Sequence, residues 1–330
     1  MKVLGAVFLS VVVSAVGLSA AGMAPAAHAA DAFPNKPVRM IVAFPIAGAT
    51  DILARVISQK IGEQVGHQVI VDNRPGAGGT IGTRMASLAA PDGYTLILGT
   101  TSTHAIGPHL YSKRPYDPVA DFTLVTQVAT SPIVMMVGAQ VPATTLKEFI
   151  ALAKAQPGKL NFGSSGVGTQ FHLSGELLKL IAAINMVHVP YKGTALVYPD
   201  MFAGQIQVLF DLPIVAVPFI RQGRIRGIGV ASKVRTPTLP DVPTMLEAGV
   251  SGYDSDLWFG LFAPPQMAKD RLAKIHAETL KALRAPDMKD RLATLGADAV
   301  GSTPEAFSVF LKAENAKWEK VVKASGARAD

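Results

Sequence analysis

The sequence contains no cysteine. That absence excludes zinc–thiolate sites, iron–sulfur clusters, thiol nucleophiles, c-type haem attachment and a lipid-modified N-terminal Cys. Other metal and cofactor signatures are missing too. His104 and His109 stand five apart, His172 and His188 fall in different predicted elements, and no H-E-x-x-H occurs, so no metal site is expected. The run GAGGTIG at 76–82 supplies Gly76 and Gly78 of a dinucleotide fingerprint but has Ile81 where the third glycine belongs. Gly166 and Gly168 fail the same test at Phe171, and there is no Walker A motif, so no nucleotide or other cofactor is expected. Lys and Arg number 31 against 24 Asp and Glu, a formal net charge of +7. Only Arg221, Arg224 and Arg226 cluster, without interleaved aromatics, so a nucleic-acid partner is not expected. The dispersed positive balance suits either attraction of small anionic solutes or ordinary surface solubility.

Beyond the N-terminus, no apolar run approaches the ~20 residues that cross a bilayer. Residues 1–29 read as a cleavable signal peptide. Lys2 supplies the positive start, an apolar stretch runs from Val3 toward Val16, and Ala27-His28-Ala29 forms an A-x-A cleavage site. An N-terminal membrane anchor is the alternative, opposed by the interruptions at Ser10, Ser14, Ser19 and Pro25. The mature chain, from Ala30, is expected to be soluble outside the cytoplasm, where a cysteine-free protein has no thiols to oxidise.

What is present is a repeated strand–turn–helix rhythm in a chain of 330 residues, 49% of them hydrophobic. That length suits two domains, because single cores stop growing at roughly 250–300 residues. Val38–Phe44 reads as a buried strand, 45–49 as a turn, and Ile52, Leu53, Val56, Ile57 and Ile61 as one stripe of a helix ended by Gly66. Val69–Val71 and Tyr94–Leu98 follow as strands. The rhythm restarts at Ser131 with a strand over Ile133–Val137 and a helix over Thr145–Ala155, whose Thr145 and Glu148 have capping-box spacing. Strands over Asn161–Gly163, Val187–Val189, Val208–Phe210 and Gly227–Val230 alternate with helices near Gln170–Ile181, Thr194–Phe202 and Ile214–Arg221. Past Gly252 the chain is expected to be helical, with Thr303 capping a last helix that opens on Pro304. The pattern predicts an α/β protein of two similar lobes, each a mixed, mainly parallel sheet flanked by helices.

Four small-residue loops, Ile46–Thr50, Gly99–Thr103, Ser164–Thr169 and Lys192–Thr194, are placed at the carboxyl ends of strands just before helices. Open α/β sheets bind ligands there, and helix N-termini with exposed N–H groups favour anions. Any one loop is equally an ordinary βα turn; four spread over both lobes favour a cleft that closes on a carboxylate. A hydrolase is the rival reading, with Ser165 paired to His172 and a carboxylate such as Asp211. Its elbow motif is incomplete, because G-x-S-x-G needs Gly where Val167 stands.

The runs FPIAGATDILARVISQKIGEQVGHQVIVDNRPGAGGTIG, APDGYTLILGT, YDPVADF, SSGVGTQFHLSGELL, VHVPYKGTA, AGQIQVLFD, LPDVPTMLEAG and WFGLFAP, in that order, resemble the Bug-type periplasmic solute receptors of tripartite tricarboxylate transporters. The resemblance implies a periplasmic, monomeric, non-enzymatic receptor with a Venus-flytrap (type II periplasmic-binding-protein) fold. It places lobe 1 at 30–130 plus 254–330 and lobe 2 at 131–253. The implied partners are a small carboxylated anion and the membrane permease subunits that receive it. A ligand-sensing receptor serving a signalling partner would use the same fold.

Carried over residue by residue, Ala47, Gly48, Thr50 and Asp51 would meet one carboxylate, with Thr101 and Thr103 lining the same lobe. Ser165, Gly166 and Thr169 would meet the other end, with His172, Lys192, Gly193 and Asp211 at the wall. Lys192 would either neutralise a carboxylate or face solvent. Two departures stand out. Ile46-Ala47-Gly48 replaces the family's Pro-Gly-Gly or Ala-Gly-Gly, so an Ala at positive φ would be strained and its methyl would narrow the pocket. Leu212-Pro213 replaces a polar residue and Leu, implying a less polar wall. Phe44, Phe171 and Trp258 would supply an aromatic wall for a ring-bearing acid, or else belong to the core.

Overall fold

The computed structural model describes residues 33–329, and the expected signal peptide lies outside them. Val38–Val42, four of whose five residues are buried, form β1, and the chain turns into helix α1 (Ala49–Val65). Gly66, left-handed at φ 73, ends α1 as a C-cap that few other residues fill without strain. Then come β2 (Val69–Asn73), α2 (Thr80–Ser87), β3 (Thr95–Thr100), a π-helical turn over Ser102–Ile106, and β4 (Thr123–Ser131). The next stretch runs β5 (Val134–Gly138), α3 (Leu146–Ala155), β6 (Asn161–Ser164), α4 (Gln170–Ala182), β7 (Val187–Pro190), α5 (Val197–Phe202), β8 (Val208–Asp211), α6 (Pro213–Arg221) and β9 (Ile225–Val230). The last stretch is β10 (Leu257–Ala263), α7 (Lys269–Leu283), α8 (Pro286–Thr294), β11 (Asp298–Ala299) and α9 (Pro304–Ser325). The capping box at Thr145 and Glu148 forms, as does the Thr303 cap on α9.

These strands make two mixed sheets, ordered β11-β4-β10-β3-β1-β2 and β7-β6-β8-β5-β9. β1 runs parallel to β2 and β3, and β6 parallel to β7 and β8. The antiparallel share is larger than the strand–helix rhythm implies, because β10 enters between β3 and β4 and β5 enters between β8 and β9. Both belong to chain crossings between the sheets, where an incoming strand has no helix to reverse it.

β10 overturns the expectation of an all-helical stretch past Gly252. All seven residues of LWFGLFA are buried. A strand covered on both faces loses the alternation that identifies one, and reads as a plain apolar run. Its Gly260 is required by Phe307 of α9, whose ring atom would lie 2.3 Å from an added Cβ. β4 was likewise not anticipated as a strand. Around β10 the core is aromatic: His104 stacks on Phe262 at 3.8 Å, and Trp258 meets Phe307 edge-on. His104 is fully buried, and burial depresses its pKa to about 3, so it is a neutral core residue.

The two crossings lie side by side. Ala231 N–H donates to Ile133 O at 2.8 Å, joining the segment after β9 to the short link between β4 and β5. Helix α4 is pinned to the second crossing through Gln170 Nε2 to Ser255 Oγ (2.9 Å) and Tyr253 OH to Ser174 O (2.8 Å).

Candidate functional site

The loop after β1 is held from beneath by one buried carboxylate. Asp51 Oδ2 accepts from Ala47 N–H at 2.9 Å and from Arg55 Nε at 3.0 Å, while Oδ1 accepts from Asn73 Nδ2 at 2.9 Å. Asn73 also donates to Phe44 O at 3.1 Å, tying both ends of the loop to the end of β2. Burial opposes ionisation of Asp51, but the bonds from Arg55, Ala47 N–H and Asn73 prevail and hold its pKa below the usual carboxylate value. Asp51 is therefore occupied with the loop, not turned to a ligand. Ala47 adopts φ 63, the strained left-handed conformation anticipated for an alanine here. Gly48 caps α1 without a side-chain bond, so the first-turn N–H groups carry no side-chain cap. Thr50 is buried in that turn.

Two expected lining residues of the same lobe point inward. Thr101 is 0% exposed and its Oγ1 accepts from Trp258 N–H at 3.0 Å. Thr103 Oγ1 accepts from Thr100 N–H at 2.9 Å and contacts His104 Nδ1 at the same distance. The π-helical turn spends both hydroxyls on the core. Ser102, between them, reaches the other lobe: its Oγ accepts from Gln170 N–H, at the first residue of α4, at 2.9 Å. Trp258, proposed for an aromatic wall, is a core residue whose Nε1 donates to Glu314 at 2.9 Å. Phe44 and Phe171 are half-buried.

The opposing loop, Ser164–Thr169, turns on Gly166 (φ 128) and Gly168 (φ 77). Gly166 O accepts from Thr169 Oγ1 at 2.8 Å and from Thr169 N–H at 3.3 Å, closing the loop on itself. Ser165 is half-buried. No hydrogen bond joins it to His172 among the described residues; His172 Nδ1 accepts from Gly168 N–H at 3.1 Å instead. The serine that does meet a histidine is Ser164, fully buried, with Oγ 2.6 Å from His188 Nε2. His172 thus lies behind the loop, not on a cleft wall. Lys192 is exposed, and nothing lies within 4 Å of where Gly193 would carry a Cβ. Asp211 is buried at the end of β8, accepting from Leu212 N–H (2.8 Å) and Tyr198 OH (3.1 Å). Burial raises its pKa to about 6 despite those bonds.

The lobes meet along these loops. A Cβ on Gly78 would lie 3.3 Å from Val167 O, and one on Gly168 would overlap Leu110, so both glycines permit the approach. Deeper in, Ala49 and Ile52 of α1 face Leu212 and Ile214 at the start of α6 across a narrow apolar gap of about 10 Å³. The N-terminal turns of α1 and α6 thus approach each other, and the start of α4 lies by Ser102. Sequence reasoning found the loops but missed Asn73, Arg55 and Ser102. For Asn73 a signal existed: it ends a strand parallel to β1, at the same carboxyl edge.

A family model described as the tripartite tricarboxylate transporter family receptor matches residues 53–327. The chain belongs to that family. The receptor is 34% identical to BugT of Bordetella pertussis (strain Tohama I) over 314 residues, 94% of this chain and 95% of BugT. A Rhodopseudomonas palustris protein solved with adipate superposes with a TM-score of 0.84 at 33% identity, covering 90% of this receptor and 99% of that chain. MatC from the same species, with bound malate, gives a TM-score of 0.81 at 33% identity, covering 88% and 100%. The two mixed sheets are accordingly the two lobes of a periplasmic solute-binding receptor. No helix among the described residues is long and apolar enough to cross a membrane.

Proposed function

We propose that this receptor captures a small organic acid, of the dicarboxylate class, in the cleft between its lobes and delivers it to the membrane subunits of a tripartite tricarboxylate-type transporter. In this reading residues 1–29 direct export, the mature chain works as a monomer, and the lobes comprise 30–130 with 254–330, and 131–253. One carboxylate meets Ala47, Gly48 and Thr50 at the start of α1. The other meets Ser165, Gly166 and Thr169. Thr101, Thr103 and Asp51 frame the first loop, and Asp211 the α6 end of the cleft.

The observation that carries the reading is the Asp51 clamp. It fixes a loop whose uncapped helix N-terminus offers N–H groups and the positive end of the α1 dipole, and it keeps Arg55 bound to itself. Attraction then comes from oriented backbone dipoles, which suit a ligand that must later be released. Adipate and malate in related receptors support the ligand class. A ligand touching both lobes only when they are closed shifts the population toward the closed form, which the transporter reads.

The test is a thermal-shift series on refolded, ligand-stripped mature protein with mono-, di- and tricarboxylates. An acid at ~100 times its Kd adds about 2.7 kcal/mol of stability. A shift confined to one class of acid supports the reading; no shift with any carboxylate overturns the anion assignment.

A further inference from the structure

Behind the Ser164–Thr169 loop two imidazoles lie face to face. His172 of α4 and His188 of β7 stack with ring centroids 3.8 Å apart and 20° between planes, over the ring of Phe162. Each reaches a different part of the loop. His172 Nδ1 takes the N–H of Gly168. His188 Nε2 contacts Ser164 Oγ, which in turn accepts from Gly166 N–H at 3.1 Å.

The proton inventory fixes the tautomers. Nδ1 of His172 must be bare to accept from an amide, so that ring carries its proton on Nε2. Gly166 O also lies 3.1 Å from Ser164 Oγ, but its two lone pairs are taken by the Thr169 hydroxyl and N–H. The Ser164 hydroxyl proton therefore goes to His188 Nε2, leaving that ring protonated on Nδ1. Both histidines serve as acceptors, a role that a protonated imidazole loses. The charged groups facing the pair are Glu176, whose Oε1 lies 3.8 Å from His172 Nε2, and Lys179, which holds the same Oε1 at 2.8 Å.

We propose that His172 and His188 are positioning residues for the second lobe's anion loop, setting the Gly166 and Gly168 amides through two neutral imidazole acceptors. Burial first, then the neighbouring ring and Lys179, hold His172 neutral with a pKa near 3; burial and Lys179 hold His188 near 4. The effect on ligand affinity rests on the functional reading above. The effect on the loop itself does not.

Two measurements on the mature protein test this. The first needs no ligand: imidazole nitrogen NMR at pH 7, with amide exchange at Gly166 and Gly168. Expected are the Nε2–H form for His172, the Nδ1–H form for His188, and a Gly168 amide protected in wild type and unprotected in His172→Phe. The second is calorimetric binding of adipate and malate to wild type, His172→Phe and His188→Phe. It also includes the acceptor-restoring variants His172→Asn and His188→Gln, whose side-chain oxygens replace Nδ1 and Nε2. Loss of one acceptor is expected to weaken binding about tenfold, and its restoration to recover most of that. Reversed or charged tautomers, or Phe variants that bind and protect Gly168 as wild type does, overturn the proposal. Should a Phe variant not fold, the tautomers and the Asn and Gln variants decide. Wild type that binds neither acid counts against the functional reading, while tautomers and exchange still judge the positioning role.

Discussion

Replacing Asp51 by Asn keeps the size of the side chain and removes the charge on which the first loop depends. Asn offers one acceptor oxygen where the carboxylate offers two, and its amide nitrogen is set against the donor of either Ala47 N–H or Asn73 Nδ2. The half-exposed Arg55 pair contributes little, since solvent screens it. The buried bonds to Ala47 and Asn73 are charge-assisted, and such bonds contribute ~1.5–3 kcal/mol each. Losing one outright and weakening the other gives a destabilisation of roughly 2–3 kcal/mol, a drop in Tm of about 3–5 °C at this chain length. Because the folded pKa of Asp51 is depressed, the stabilisation is present above its unfolded value of 3.8 and is lost as pH falls through the folded value. The Tm difference between wild type and D51N should thus be constant from pH 5 to 8 and shrink only below 3.8. Differential scanning calorimetry across that range, with N73A and the double variant to complete a cycle, checks both size and coupling. Equal Tm values for D51N and wild type at pH 7, or strictly additive single changes, would refute the clamp.

Two further outcomes are expected. Ala47→Gly relieves a left-handed alanine that costs ~1–2 kcal/mol, against a gain in unfolded-state freedom of ~0.4–1 kcal/mol, so Tm should rise by about 1–2 °C; a lower Tm would mean that the methyl packs in the loop. Asp211 behaves opposite to Asp51: its raised pKa gives a stabilisation fully present below 3.8 and lost as pH rises through about 6, on the order of 3 kcal/mol. D211N should therefore gain stability relative to wild type between pH 4 and pH 7 in urea titrations, and a difference that does not move with pH would contradict the burial argument.

The parts of this receptor legible in its sequence are those specified locally. The capping box at Thr145 and Glu148 and the Gly66 stop each act within a turn, so spacing alone reveals them. The four small-residue loops are legible for a related reason: each ends a strand and leads into a helical turn. What sequence reading missed acts through tertiary approach. β10 is specified by partners more than 100 residues upstream, Asn73 by its register opposite Val42, and Ser102 by a helix of the other lobe. Thr101 and Thr103 mislead because a hydroxyl beside a binding loop serves the core as readily as a ligand, and only the course of the π-helical turn decides which. Under the proposed function, the carboxylate groups and the ligand's middle are read by different parts of the chain. In the proposed binding mode, backbone N–H groups hold the carboxylates and are blind to what joins them. Discrimination among acids would then fall to side chains, and Leu212 and Ile214, which face Ala49 and Ile52 across a narrow apolar gap, make the α6 side less polar. That wall favours a methylene chain over one bearing hydroxyls, because burying an unpaired hydroxyl costs ~1–3 kcal/mol.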